Sequence, residues 1–440
     1  MRRRHLGISV VLIIVVVAAG LSWLGSARGV GTYEAADPDW HARATSRAGS
    51  GASSEARTPN PRTIDPSFSV GATPGRTGPA RRKSGRTNAT PTSAARAAPP
   101  DTRARTPTAR PRRPGRGSHP PTGAATRPIT LAFAGDIHFE GHLRPLLDEP
   151  GSSLVRLRPE LAAADLTVAN LETAVTTRGE PEDKEFTFRT SPKAFDAVAA
   201  AGVDVVSMAN NHGVDYGPEG LADTLAAAGV APVGVVGIGA DDDQAFAPHV
   251  ATIRGTKVAV IGADAVADHT TRAFSAGPTQ AGVASALDPT RLAAEVRKAR
   301  QLADVVVVYL HWGTELESCP TTNQRLLARE LAAAGADVVA GTHAHVQLAA
   351  GKLDGYDTFV AYGLGNFVWY NRSSERTTST GVLTLTLEGR SVTGSSWAPA
   401  MIGEDGVPSF ASGGRAAEMR SDWAALRGCS DVRAVPEPPV

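Results

Sequence analysis

The chain has 440 residues, 45 Lys/Arg against 44 Asp/Glu, and two cysteines, which excludes a cysteine-stapled miniature and a uniformly basic nucleic-acid binder. The near-zero balance conceals two opposed parts. Residues 26–128 carry 18 Lys/Arg against 6 Asp/Glu, a net of +12, whereas residues 129–440 carry 24 against 38, a net of −14.

The first element is "MRRRHLGISVVLIIVVVAAGLSWLG". Its basic cluster precedes an uncharged apolar run, Leu6 to Leu24, long enough to cross a bilayer as one helix. Residues 1–25 read as a signal anchor rather than a cleaved leader, because the apolar core is long and "GSA" at 25–27 is a weak cleavage site. If the leader is removed instead, the protein is secreted. Arg3-Arg4-His5-Leu6 loosely resembles a twin-arginine signal, and ordinary positive-inside charge is the simpler account. Residues 26–128 are Arg, Pro, Ser, Thr, Ala and Gly with almost nothing to bury, a composition that does not offset the entropy of ordering. They are expected to form a disordered tether. Its positive charge beside a membrane favours anionic lipid or an anionic envelope polymer as partner. No groove-entering motif accompanies the charge, so no nucleic-acid partner is expected. The implied location is the cell membrane, crossed once, with residues 129–440 facing outward.

From Ile129 onward, β-type runs alternate with Ala/Leu-rich helical stretches, the pattern of an α/β domain. The runs are "ITLAFAG", "DLTVAN", "DVVSMAN", "APVGVVGIG", "KVAVIGA", "DVVVVYLHWG", "DVVAGTHAH", "TFVAYGLGNF" and "GVLTLTLEG". Residues 129–440 are read as one domain with a C-terminal tail. Cys319 and Cys429 lack a CxxC pattern, which removes a zinc ribbon. The exported setting favours a disulfide between them over two free thiols.

Metal-capable side chains recur just after five of these runs. Asp136 and His138 lie in "GDIH", Asn170 and Glu172 in "ANLE", Asn211 and His212 in "ANNH", His311 ends "VVVVYLH", and His343 and His345 end "DVVAGTHAH". In an open α/β sheet the carboxyl ends of strands line the crevice where ligands bind. In extended chain, residues two apart project to one side, roughly 6 to 7 Å apart, so His343 and His345 suit two neighbouring ions. Four His, one Asp, one Glu and one Asn amide form a mixed nitrogen and oxygen set suited to Mn, Fe or Zn. Seven ligands exceed one ion's needs, so two divalent ions are the economical reading. His142, His249 and His269 have no partner motif. "VVGIGADDD" does not follow G-x-G-x-x-G, and no G-x-S-x-G elbow is present.

The ordered set "GDIH", "NLE", "NNH", "LHWGTE", "GTHAHV" and "YGLGNF" resembles the CapA family of bacterial poly-γ-glutamate capsule synthesis proteins, which looks like a branch of the calcineurin-like metallophosphoesterases. The resemblance covers Ile129 to Val392. It implies a calcineurin-like fold of layered β-sheets flanked by helices, with Asp136, His138 and His345 on one ion, Asn211, His311 and His343 on the other, and Glu172 bridging. It makes His212 the general acid and Asp215 its orienting partner. The second motif departs from the phosphoesterase pattern by carrying Glu for the usual Asp, and Gly213 stands where an acidic residue often follows Asn-His. His138 retains an imidazole that many CapA members lack. Asn170, Trp312, Glu315 and Asn366 are the expected substrate contacts, with packing the alternative for Trp312 and a structural turn for Asn366.

Two functions follow. One is an exported metal-dependent hydrolase cleaving a phosphoester or an amide-linked polymer. The other is a noncatalytic polymer-binding component of a capsule synthesis and export complex, with other capsule synthesis proteins as partners. The net of −14 on residues 129–440 repels a polyanion and weighs against the second.

Overall fold

In the computed structural model the described residues are 127–437. The anchor read at 1–25, and all of the tether read at 26–128 but its last two residues, lie outside them. Among the described residues no helix is long and apolar enough to cross a membrane.

Two sheets carry the domain. The first is eight-stranded and contains β1 (Ile129–Ile137), β2 (Leu166–Leu171), β3 (Val205–Ser207) and β4 (Gly234–Val236) in parallel. In the second, seven-stranded sheet, β5 (His249–Ile253) runs antiparallel to β6 (Thr256–Asp264). Next come β7 (Val305–Trp312) and β8 (Val338–His343), both parallel to β6. β9 (Ala350–Leu353) is antiparallel to β10 (Phe359–Ala361), which lies parallel to β8. The chain then returns to the first sheet through β11 (Asn366–Val368), β12 (Ser379–Glu388), β13 (Ser391–Ile402) and β14 (Pro408–Phe410). β11 pairs parallel with β1, while β12 pairs antiparallel on the same strand.

The sequence of β7 explains the layering. Every residue of "VVVVYLHW" is buried, and period-two alternation splits them between two cores. Val305, Val307 and Tyr309 pack between the sheets with Leu131, Phe133, Leu166 and Val168. Val306, Val308 and Leu310 face the helices α3 (Thr290–Leu302) and α4 (Thr322–Ala334). On the far side α1 (Lys193–Ala201) and α2 (Gly217–Ala228) cover the first sheet. A strand covered on both faces reads as an unbroken apolar run, and that is why β7 shows no polar alternation. The result is a helix–sheet–sheet–helix stack, the α/β layering that the family resemblance implies.

The helix ends follow local chemistry. Thr321 and Gln324 form a reciprocal capping box at the start of α4, and Gly335 stops it at φ 112°. The C-terminal helix α5 (Gly413–Ala425) brings Trp423 onto Trp397 of β13, ring centroids 4.6 Å apart. Cys319 and Cys429 form the expected disulfide across 110 positions of sequence.

Candidate metal centre

The parallel strands of both sheets end at one edge, and the candidate residues are placed there by strand parity. On β2, Leu166 and Val168 point between the sheets, and Asn170 and Glu172 continue that alternation. On β7 the same face runs from Tyr309 to His311. β1 reaches it differently, because its register with β2 slips between Phe133 and Asp136, an irregularity that re-aims the carboxylate. Gly135 permits the close approach: a Cβ there would sit 1.9 Å from the Gly365 carbonyl oxygen.

The expectation of an extended His-x-His does not hold. His343 has φ 89° and His345 φ 55°, so both lie in the left-handed region, where a bulky residue costs about 1–3 kcal/mol. The chain curls rather than alternates, and it sets the two rings 6.0 Å apart. The His343 amide donates to Asp136 Oδ2 at 3.3 Å.

Ligand atoms of Asp136, Glu172 and His311 all lie within 4.8 Å of one another. His311 Nε2 is 3.4 Å from Glu172 Oε1, 2.9 Å from Asn211 Oδ1 and 3.1 Å from His343 Nδ1. His345 Nδ1 is 3.5 Å from Asp136 Oδ2. Six of the seven expected ligands thus form one connected cluster. His138 lies apart. Its Nδ1 accepts the Glu140 amide at 3.0 Å, and its ring stacks on Phe188 at 4.6 Å with Trp369 edge-on at 4.3 Å.

His212 and Asp215 adjoin the cluster. His212 Nδ1 is 2.5 Å from Asp215 Oδ2, and its Nε2 lies 3.9 Å from Glu172 Oε1. Phe188 stacks on its ring at 4.0 Å.

The four expected substrate contacts divide. Glu315 is exposed at the rim, and its charge acts on Glu172 and His345. The other three are corrections. Trp312 has the opposite parity to His311, is 1% exposed, stacks on Tyr362 and donates Nε1–H to the Tyr362 carbonyl. Asn170 is fully buried, donates to Asp136 Oδ1 at 2.8 Å and accepts from Asn210 at 3.0 Å. Asn366 is also buried, with Oδ1 on His345 Nδ1 at 2.9 Å and its amide donating to the carbonyls of His345 and Thr377. Both asparagines hydrogen-bond to expected ligand side chains and keep no free group for a substrate.

Sequence reasoning missed Asn210, Thr342, Lys184 and the rings of Phe188, Trp369 and Tyr370. Asn210 was legible as the other Asn of "NNH". Lys184 sits in "PEDKEF" and looks like one charge of a solvated loop.

Electrostatics explains how such a cluster persists. Burial, then the neighbouring Asp136, holds the Glu172 carboxyl well above its usual range. Burial and neighbouring imidazoles hold His311 and His343 well below theirs, which keeps them neutral. His212 is lowered chiefly by burial, against the pull of Asp215. For His345 burial acts downward, but the hydrogen bond and charge of Asp136 outweigh it and the ring ends above its ordinary value.

Glu172 Oε1 is buried without a hydrogen-bond partner. Such an atom is costly unless a cation or donor meets it. Neutral imidazoles, an amide oxygen and two adjacent buried carboxylates form the donor set that Mn, Fe or Zn accepts, so the residues fit a divalent metal.

The comparisons agree with the motif reading. Residues 130–371 match the family model described as bacterial capsule synthesis protein PGA_cap. The chain is 30% identical over 246 residues to the PGA biosynthesis protein CapA of Bacillus subtilis, covering 55% of this chain and 63% of that one. It is 31% identical over 259 residues to the capsule biosynthesis protein CapA of Bacillus anthracis, covering 55% and 60%. It therefore spans less than two thirds of either relative. Among solved structures, a phosphatase of Mycoplasma pneumoniae aligns over 67% of this chain and 97% of its own at 15% identity and TM-score 0.40, too loose a likeness to argue from. With more than half of its length matched to that model and CapA proteins among its relatives, the chain belongs to the PGA_cap family of bacterial capsule synthesis proteins.

Proposed function

We propose that residues 129–440 form a metal-dependent hydrolase of the calcineurin-like metallophosphoesterase type. It acts at the cell envelope on a phosphoester or an amide-linked polymer such as poly-γ-glutamate. The observation that carries this reading is Glu172 Oε1, buried without a hydrogen-bond partner beside Asp136 and His311.

Asp136, Glu172, Asn211, His311, His343 and His345 are the residues that would hold two divalent ions. Bound there, such ions supply Lewis acidity toward phosphoryl or acyl oxygens and make water a stronger acid. The protein's own groups provide the rest. Asp215 fixes the His212 tautomer by accepting a hydrogen bond from Nδ1–H, which leaves Nε2 facing the cluster. His212 in its protonated form then gives a proton from Nε2 to the leaving group. Phe188, Trp369 and Tyr370 exclude water on one flank, and Glu315 marks the open rim.

The envelope setting rests on the basic anchor-like leader and on what the relatives' names say of those proteins. Anionic lipid or envelope polymer, and other capsule synthesis proteins, are the partners this reading implies.

The test uses the full chain in mild detergent with Mn, an aryl phosphate and a γ-glutamyl amide peptide. Glu172→Gln and His343→Ala are each expected to lower bound Mn and turnover together. Unchanged bound Mn in both variants would refute the centre. Polymer binding with no cleavage of either substrate would favour the noncatalytic component instead.

A further inference from the structure

We infer that Lys184 is a positioning residue for the centre, holding Asn211 and, through Asp215, His212; this rests on the hydrolase reading above. Lys184 has Glu182, Asp183 and Glu185 beside it in sequence, yet its ammonium turns inward. Nζ lies 2.6 Å from Asp215 Oδ1, with side-chain exposures of 12% and 0%, and it also donates to the Asn211 carbonyl. Both acceptors belong to the turn that carries the ligand and the acid. An ordinary loop lysine would stay solvated, because an exposed ion pair is worth little and a buried one must beat desolvation.

The contacts around it are directional. Asp215 Oδ2 takes His212 Nδ1 at 2.5 Å and the Phe188 amide at 2.7 Å, which leaves Oδ1 for the lysine. Lys184 is the cation paired with this buried carboxylate, and the carboxylate in turn holds His212 with its Nε2 toward Glu172. At Asn211 the carbonyl receives Lys184 and the Thr270 hydroxyl, the latter at 2.6 Å, while the side-chain oxygen meets His311 at 2.9 Å. Backbone and side chain of one expected ligand are thus fixed from opposite sides. The loop is fastened to the same turn elsewhere, since the Glu182 amide donates to the Asp215 carbonyl at 2.8 Å. Partners behind a metal ligand typically change affinity by about 10–100-fold when removed.

The experiment measures Mn affinity by calorimetry on the full chain in detergent, with amide exchange of residues 208–216 and steady-state kinetics on the aryl phosphate. Lys184→Met is expected to weaken Mn binding by about ten-fold and to speed exchange in 208–216 without affecting α4. It should also lower kcat with little change in KM, and Lys184→Arg should restore most of the loss. Should Lys184→Met not fold, it is placed in an Asp215→Asn background and compared with Asp215→Asn alone, with the double variant expected to bind Mn more weakly. Equal Mn affinity with and without Lys184 overturns the assignment, as does an arginine variant no better than methionine. A parent protein that binds no Mn overturns the centre itself, so the two failures are separable, and the Mn measurement decides without turnover.

Discussion

At the scale of single residues, the centre is a set of groups held in unfavourable protonation states. Glu172 keeps a proton in the folded, metal-free protein that it releases on unfolding near its ordinary value of 4.5, and Asp264, raised by burial with Oδ2 unpartnered, does the same from 3.8. Wherever the folded state binds the extra proton, stability falls as pH rises, by up to about 1.4 kcal/mol per pH unit per proton. The histidines held low by burial give the opposite slope below their ordinary value of about 6.5, so chelator-treated protein is expected to lose melting temperature as pH climbs above about 7. Glu172→Gln with Asp264→Asn should flatten that slope; a slope unchanged by both substitutions would contradict the assignment. Glu172 was legible, because Asp, Glu, Asn and His clustering at strand ends is a sequence pattern, whereas Asp264 carried no such motif. Side-chain directions were less legible. Trp312 and His311 are adjacent, and only the parity of β7 tells that one faces the helices and the other the cleft.

Elements explain why the cluster assembles. β1 supports β2, β11 and β12 at once, and Gly135 lets β11 come close. In Gly135→Ala the new methyl meets the Gly365 carbonyl at 1.9 Å, so the two strands must part. The expected outcome is a loss of about 1–3 kcal/mol and weaker Mn binding, read by denaturant unfolding and calorimetry. The segment between β7 and α4 is tied to the residues after α5 by the disulfide, and within it the Leu316 amide donates to the Ala344 carbonyl at 2.8 Å, between the two curled histidines. Cys429→Ser opens a link across 110 positions, and chain entropy sets its loss at about 4–5 kcal/mol. Unfolding in urea with and without reductant checks this, the variant matching the reduced parent. The strand runs were readable because each is long and apolar. β11 was hidden inside "YGLGNF", since a short segment that pairs beside a bulge has no periodicity of its own.

For the whole molecule, the sequence divides charge sharply, and the described residues coincide with the acidic part. Removal of residues 1–126 is expected to leave Mn affinity and aryl-phosphate turnover within two-fold, because every residue of the cluster lies beyond that point. The same deletion should abolish low-salt adsorption to anionic vesicles. Retained adsorption in the truncated protein would place the membrane-facing charge elsewhere. The α/β class was legible from alternation of runs, while the pairing of β12 and β13 with the first sheet was not, since nothing local in those strands says which edge they join.

Trp369 lies 4% exposed, with its ring 4.3 Å from His138 and 4.6 Å from His345. An indole in that place is a built-in optical reporter, since imidazolium quenches indole emission and a neutral ring does so far less. The chain has six tryptophans, so a variant retaining Trp369 alone would turn occupancy of the neighbouring histidines into a change of fluorescence.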